Sequence, residues 1–192
     1  MNTNKHELKI ELRSKISAAL ENFSPEKRES DSQKLCRKLR KQSFFQNAAS
    51  VLFFAPLPNE VDLWPLLEKT LAGGKVAVLP CFDSDKRFYT SRQVKNLRVE
   101  ILSGQFGIRE PSAGCVEIPT DDLDLILVPG IAFDLRGNRL GRGKGFYDRL
   151  LEKVRGAKCG IAFDEQIVNE IKIEPHDMRM DFILTPTRAW KS

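Results

Sequence analysis

Leu125-Ile-Leu-Val-Pro-Gly-Ile-Ala-Phe-Asp-Leu-Arg-Gly-Asn-Arg-Leu-Gly-Arg-Gly-Lys-Gly-Phe-Tyr-Asp148 decides how this chain folds. The apolar run that opens it, Leu123 to Val128 broken only by Asp124, is short and has no polar alternation. Such a run reads as a strand buried on both faces, the habit of strands in parallel sheets. Pro129-Gly130 ends it, and a polar loop follows, carrying Gly137, Gly141, Gly143 and Gly145. Beyond the loop Tyr147, Leu150, Leu151 and Val154 recur at helical spacing, which predicts a helix with one buried stripe. Strand, glycine-rich loop and helix start make a place for anions, because unpaired backbone N–H groups and the helix dipole converge there.

Arg139, Arg142 and Lys144 stand among those glycines, so positive charge meets backbone that a ligand can approach closely. That combination suits a polyphosphate; a solvated basic turn is the plainer alternative. Spacing excludes two familiar phosphate loops. The interval from Gly137 to Gly143 is one residue too long for a Walker loop, and Gly145 stands where Ser or Thr would follow the lysine. Gly141-Arg-Gly143-Lys-Gly145 also lacks the third-glycine spacing of a dinucleotide-binding turn.

On the N-terminal side, Leu8, Leu12, Ile16 and Leu20 predict an amphipathic helix over 5–22, with Lys9 and Arg13 sharing an adjoining face. Ser24-Pro25-Glu26 starts a second, charged helix running to about Ser43, turned inward only at Leu35, Cys36 and Leu39. Ala49 to Phe54 reads as a buried strand ending at Ala55-Pro-Leu-Pro58. Asn59-Glu-Val-Asp62 leads from it into a helix through Leu63, Leu66, Leu67 and Leu71, closed by Gly73-Gly74. Asp62 is a dipole-matched acid; Glu60 follows the carboxyl end of a strand, where ligands gather in open α/β sheets. Strands are expected at 75–79, 87–90, 97–102, 158–163 and, last, 180–184, with a turn over 81–86 and a polar connector over 112–122. Short apolar strands alternating with amphipathic helices predict an α/β domain with a largely parallel sheet.

A chain of 192 residues is read as a single domain able to bury a substantial core. With 41% hydrophobic and 30% charged residues it has the composition of a soluble globular protein. No run approaches the roughly 20 apolar residues of a membrane span, and Met1-Asn-Thr-Asn-Lys-His-Glu has no apolar core, so no signal peptide is expected. Cys36, Cys81, Cys115 and Cys159 lie far apart without a C-x-x-C pair, so reduced packing thiols in the cytoplasm are expected. The net charge of +5 favours acidic partners. Its 31 basic residues are interspersed with 26 acids and form no aromatic-interleaved cluster, so small polyanions are expected rather than nucleic acid. The residues alone leave open an ATP-dependent phosphoryl transferase on a small acid, or a non-catalytic nucleotide- or RNA-associated module.

Pro129-Gly-Ile-Ala-Phe-Asp134 followed by Gly137-Asn-Arg-Leu-Gly-Arg-Gly-Lys-Gly-Phe-Tyr-Asp148 resembles the signature of the 5-formyltetrahydrofolate cyclo-ligase family. Lys9-Ile-Glu-Leu-Arg13, Glu60-Val-Asp62, Phe106-Gly-Ile-Arg-Glu-Pro111 and the Glu174-Pro-His-Asp177 to Thr185-Pro186 ending are similar to its weaker motifs, so the likeness covers nearly the whole chain. The resemblance implies a three-layer α/β/α sandwich, and an ATP- and Mg²⁺-dependent closure of 5-formyltetrahydrofolate to 5,10-methenyltetrahydrofolate, ADP and phosphate. It implies Lys9, Arg13, Arg139, Leu140, Gly141, Arg142, Gly143, Lys144, Gly145, Phe146 and Tyr147 around ATP. Ala55, Glu60, Arg142, Gly143, Lys144, Gly145 and Phe146 would meet the folate, with Arg142, Lys144 and Tyr147 closest to the chemistry. Asp148 and Asp177 would hold Mg²⁺. For Asp148 there is also a physical reason, since an acid inside a triphosphate cradle repels phosphate unless a cation lies between. Phe146 stands where the family commonly has tyrosine, keeping the ring and losing the hydroxyl. The 107–111 segment is expected as pocket wall, with Arg109 or Glu110 open to a surface-pair role, and His176 as a surface residue. The protein is expected to be a monomer acting on two small molecules, away from membranes.

Overall fold

The computed structural model describes residues 2–84, 88–104, 107–143, 145–174 and 177–192. Phe106, Lys144 and His176, and the side chain of Phe146, lie outside the described residues. The apolar runs become β1 (Ser50–Leu52), β2 (Val76–Asp83), β6 (Leu125–Pro129), β9 (Ala157–Ile161) and β11 (Phe182–Leu184), five strands paired in parallel. β3 (Phe88–Val94) and β12 (Ala189–Lys191) flank them antiparallel, giving the order β12-β11-β9-β6-β1-β2-β3.

Alternate residues of the central strands feed two separate cores, which is why no polar alternation is seen in their sequences. Val51, Ala77, Leu125 and Leu127 pack with Ile16 and Leu20 of α1 (Asn2–Glu21), Leu35 and Leu39 of α2 (Pro25–Leu39), and Leu66 and Leu67 of α4 (Trp64–Ala72). Leu52, Val78, Ile126 and Val128 pack on the other face against Leu150 and Leu151 of α6 (Phe146–Leu151) and the following Val154. Helices on both faces of a mostly parallel sheet are the expected α/β/α sandwich. Leu127 has no exposed surface, and a cavity in its place would cost about 2–5 kcal/mol.

Several local expectations shift, each for a visible reason. In α1 the apolar stripe is covered only toward its end: Leu8 is 45% exposed and Leu20 3%. α2 starts as expected, the Ser24 hydroxyl accepting from Lys27 N–H at 3.1 Å, but stops at Leu39, with α3 (Ser43–Asn47) a separate turn. The predicted strand over 97–102 is instead α5 (Leu97–Glu100) followed by β4 (Ile101–Ser103). Asn96 caps Arg98 N–H at 3.0 Å, and the Glu100 carboxylate accepts from Lys95 N–H and Asn96 N–H at 2.6 and 2.9 Å, which outweighs the β preference of Val99. The turn expected from Cys81 begins later, because β2 stays paired with β3 out to Asp83 opposite Phe88. The last strand is β12 and not β11. α6 ends at Leu151, so the dipole at its start is that of a short helix.

The loop after β6 also holds regular structure. β7 (Ala132–Asp134) and β8 (Arg139–Leu140) form a hairpin, with β10 (Ile167–Val168) on its other side. Its turn closes on the buried Asp134 carboxylate, which accepts from Arg136 N–H, Asn138 N–H, Asn138 Nδ2 and Ile171 N–H at 2.9–3.0 Å. Four N–H donors replace the lost hydration of that charge. Among the described residues no helix is long and apolar enough to cross a membrane.

Candidate functional site

Pro129-Gly130 turns the chain out of β6, and the β7–β8 hairpin brings it back so that Arg139 sits beside the strand's carboxyl end. There Arg139 Nη1 donates to Pro129 O at 3.3 Å, and Ile131 N–H donates to Leu140 O at 2.7 Å. The glycine-rich loop therefore leaves β8 above the end of the sheet. Gly143 and Gly145 take φ of 87° and 66°, the left-handed region in which a side chain is strained, so both need glycine. Gly145 is also the residue preceding α6.

A cavity of about 440 Å³ opens beneath this loop. Gly141, Arg142, Gly143, Gly145, Tyr147 and Asp148 border it on the loop side, with Ala55, Leu57 and Glu60 from the segment after β1 facing them. Pro80 at the end of the sheet, Tyr89 from β3 and Ile108 beside β5 (Arg109–Pro111) complete the apolar walls. The site lies at the carboxyl edge of the parallel strands, where the loops diverge.

Its charges are paired with one another. Arg142 Nη2 lies 3.0 Å from Glu60 Oε1, while Glu60 Oε2 accepts from Leu57 N–H at 3.0 Å. Arg139, 8% exposed, is bound to Asp148. Lys9 Nζ lies 3.1 Å from Asp177, whose Oδ2 also accepts from Glu174 N–H at 2.8 Å. Arg13 Nε donates to Gly141 O at 2.9 Å, which ties α1 to the glycine loop. Each carboxylate expected to meet a ligand thus holds a cation expected to meet phosphate, and an incoming polyanion would exchange with carboxylates already in place.

Burial, then the charges of Glu60 and Tyr89, push the Tyr147 phenol well above its ordinary range, against the opposing Arg139. Burial, then Glu110 and Glu60, also raise Tyr89. Both rings are therefore neutral phenols at physiological pH, able to donate a hydrogen bond or to pack, and neither serves as a phenolate base. Burial likewise pushes Cys36 up to about 12 and raises Cys159, so these thiols are packing groups.

The structure gathers nine of the expected residues on one cavity: Ala55, Glu60, Arg139, Gly141, Arg142, Gly143, Gly145, Tyr147 and Asp148. Lys9, Arg13 and Asp177 stand off its walls, Arg13 touching the loop from α1. Leu140 is packed in the core and contributes no side chain to the cavity. Lys144, and what the ring of Phe146 touches, fall outside the described residues. Among the described residues no three His, Cys, Asp or Glu side chains cluster as metal ligands; of the two expected acids Asp148 lines the cavity, where magnesium could take one or two carboxylates together with substrate phosphate oxygens. Arg109 and Glu110 are no surface pair. Arg109 lies 3.8 Å over the Trp64 ring, and Glu110 is buried with Oε2 accepting from Phe82 N–H at 3.3 Å. Ile108 bears out the expectation that this segment walls the pocket. Tyr89 and Pro80 are cavity residues that sequence reading passed over; the β2–β3 pairing, which sets the Tyr89 ring against Phe82, is what brings Tyr89 there.

Residues 5–186 match the profile of the 5-formyltetrahydrofolate cyclo-ligase family. The chain is 30% identical to the mouse 5-formyltetrahydrofolate cyclo-ligase over 96% of its own length and 94% of the relative's. It is 43% identical to the Mycolicibacterium smegmatis 5-formyltetrahydrofolate cyclo-ligase over 73% of its length and 75% of that protein's. The solution structure of Aquifex aeolicus 5,10-methenyltetrahydrofolate synthetase superposes with a TM-score of 0.87 at 35% identity, covering 96% of this chain and 92% of that one.

Proposed function

Since the chain belongs to the 5-formyltetrahydrofolate cyclo-ligase family, we propose that its cavity holds 5-formyltetrahydrofolate against Glu60 and lays the triphosphate of ATP along the glycine loop. The observation that carries this reading is the Arg142–Glu60 pair at 3.0 Å across the cavity, which sets the phosphate loop and a hydrogen-bonding carboxylate one side-chain length apart. A carboxylate facing the pterin's amino group and ring N–H accepts two charge-assisted hydrogen bonds. Arg139, Arg142, Lys9 and Arg13 draw together around a bound triphosphate, and Lys144 joins them on the strength of its place in the motif.

The chemistry asks for position and charge rather than a nucleophilic side chain. A formamide oxygen is a poor leaving group, so the formyl oxygen attacks the γ-phosphorus and ADP departs. N10 then adds to the resulting N5-iminium phosphate, and the formyl oxygen leaves as part of inorganic phosphate, forming 5,10-methenyltetrahydrofolate. Arg142 holds the moving phosphoryl group beside Glu60 and neutralises the charge that develops there. Asp148, with Asp177, would hold Mg²⁺, which supplies further neutralisation of the phosphates when bound. Tyr147, between Arg139 and the cavity, packs against the reacting groups and helps keep water out. In this reading the protein acts in the cytoplasm, as a monomer, on two small-molecule substrates.

The reading is tested by mixing protein, ATP, Mg²⁺ and 5-formyltetrahydrofolate and following the ultraviolet absorbance of the methenyl product. An ATP-dependent rise is expected; a flat trace, or ATP hydrolysis indifferent to the folate, would overturn it.

A further inference from the structure

We propose that Tyr89 supplies the aromatic face on which the flat ring of the folate lies, and so sets affinity for that substrate; the proposal rests on the folate reading of the cavity. Two tyrosines line the cavity, Tyr89 and Tyr147, with ring centroids 6.0 Å apart and planes 49° to one another. They are not equivalent. The Arg139 guanidinium lies 5.9 Å from the Tyr147 ring and is bound to Asp148, the next residue, so Tyr147 belongs to the triphosphate side. Tyr89 comes from β3, beyond the glycine loop and among apolar walls, with Pro80 and Ile108 beside it on the cavity.

Its ring is held before any ligand arrives. Tyr89 faces Phe82 in the β2–β3 register, and the Phe82 ring meets it edge-on at 5.4 Å and 70°. An aromatic face fixed in this way loses little freedom when a ligand stacks on it. Glu60 lines the same cavity, so the carboxylate that would take the pterin's N–H edge borders the same space as this ring. A heteroaromatic ring gripped by its edge presents its face to a wall, and Tyr89 is the wall that the phosphate side leaves to it.

The test compares Tyr89→Ala, Tyr89→Leu and Tyr89→Phe by their Michaelis constants for each substrate, with thermal unfolding as a check on folding. Stacking contacts of this kind are worth roughly 5- to 100-fold in affinity when removed. Tyr89→Ala is expected to raise KM for 5-formyltetrahydrofolate by that factor while KM for ATP holds. Tyr89→Phe should recover most of the loss, and Tyr89→Leu, which keeps bulk without a π face, should not. A folate KM unchanged in Tyr89→Ala, rescue by leucine equal to rescue by phenylalanine, or parallel rises in both KM values would each overturn the assignment. Wild-type protein run beside them separates the levels. Wild-type turnover with silent variants removes Tyr89 alone, whereas a wild type that ignores the folate removes the reading beneath it.

Discussion

Replacing Glu60 by glutamine separates the two halves of the proposed site. The Arg142–Glu60 contact of 3.0 Å corresponds to a gross attraction of about 5 kcal/mol at an effective dielectric constant near 20. The Arg142 side chain is 47% exposed, however, and a pair open to solvent on one side keeps a net of only about 1 kcal/mol. Glutamine retains an oxygen for Leu57 N–H, now bonded at 3.0 Å, so folding should barely change and the unfolding midpoint should move by no more than about 4 °C. The folate loses far more. Two hydrogen bonds to a charged acceptor become one to a neutral acceptor, and the glutamine NH₂ then faces a second donor, a loss of about 3 kcal/mol or roughly 150-fold in Kd. ATP should bind as before or up to about five-fold more tightly, because Arg142 no longer has to leave a carboxylate to reach phosphate. Isothermal titration of the variant with 5-formyltetrahydrofolate, and separately with a non-hydrolysable ATP analogue, measures both. Equal losses for the two ligands, or a loss confined to ATP, would refute this placement of Glu60.

Three further outcomes follow from the same geometry. Burial raises the Glu110 carboxyl above its ordinary value of 4.5, and its Oε1 has no hydrogen-bond partner; the ionised form is thus penalised in the folded state above that pH. Glu110→Gln should therefore raise the unfolding midpoint at pH 7, with the advantage fading as pH falls toward 4.5, as differential scanning fluorimetry across pH would show. Asp134→Ala strips four donors of their acceptor and should cost at least about 3 kcal/mol, lowering the calorimetric midpoint by roughly 10 °C. Chelation with EDTA should stop turnover, with excess Mg²⁺ restoring it, while the circular dichroism of the nucleotide-free protein stays the same.

The strands and their layers were legible because burial on both faces leaves an unbroken apolar run, as in Leu125 to Val128. The glycine-rich loop was legible because Gly143 and Gly145 hold conformations that other residues resist. Local capping was not. Asn96 and Glu100 convert the first four residues of the expected 97–102 strand into a helical turn through hydrogen bonds that propensity does not weigh. The hairpin inside the loop was hidden because its register depends on Asp134, whose four donors come from residues up to 37 positions away. Tyr89 went unread for a similar reason. Nothing near it in the chain marks a site, and only the pairing of β3 with β2 and the packing of α6 place its ring beside Tyr147. Leu140 is the converse case, a residue inside the glycine-rich motif whose side chain packs in the core, which a motif match does not reveal.

Oxygen isotopes follow directly whether the formyl oxygen is the atom phosphorylated, as proposed. Turnover of 5-formyltetrahydrofolate carrying ¹⁸O in its formyl group, with the released phosphate examined by mass spectrometry, should put the label into inorganic phosphate. Unlabelled phosphate, with the isotope recovered in water, would contradict the account.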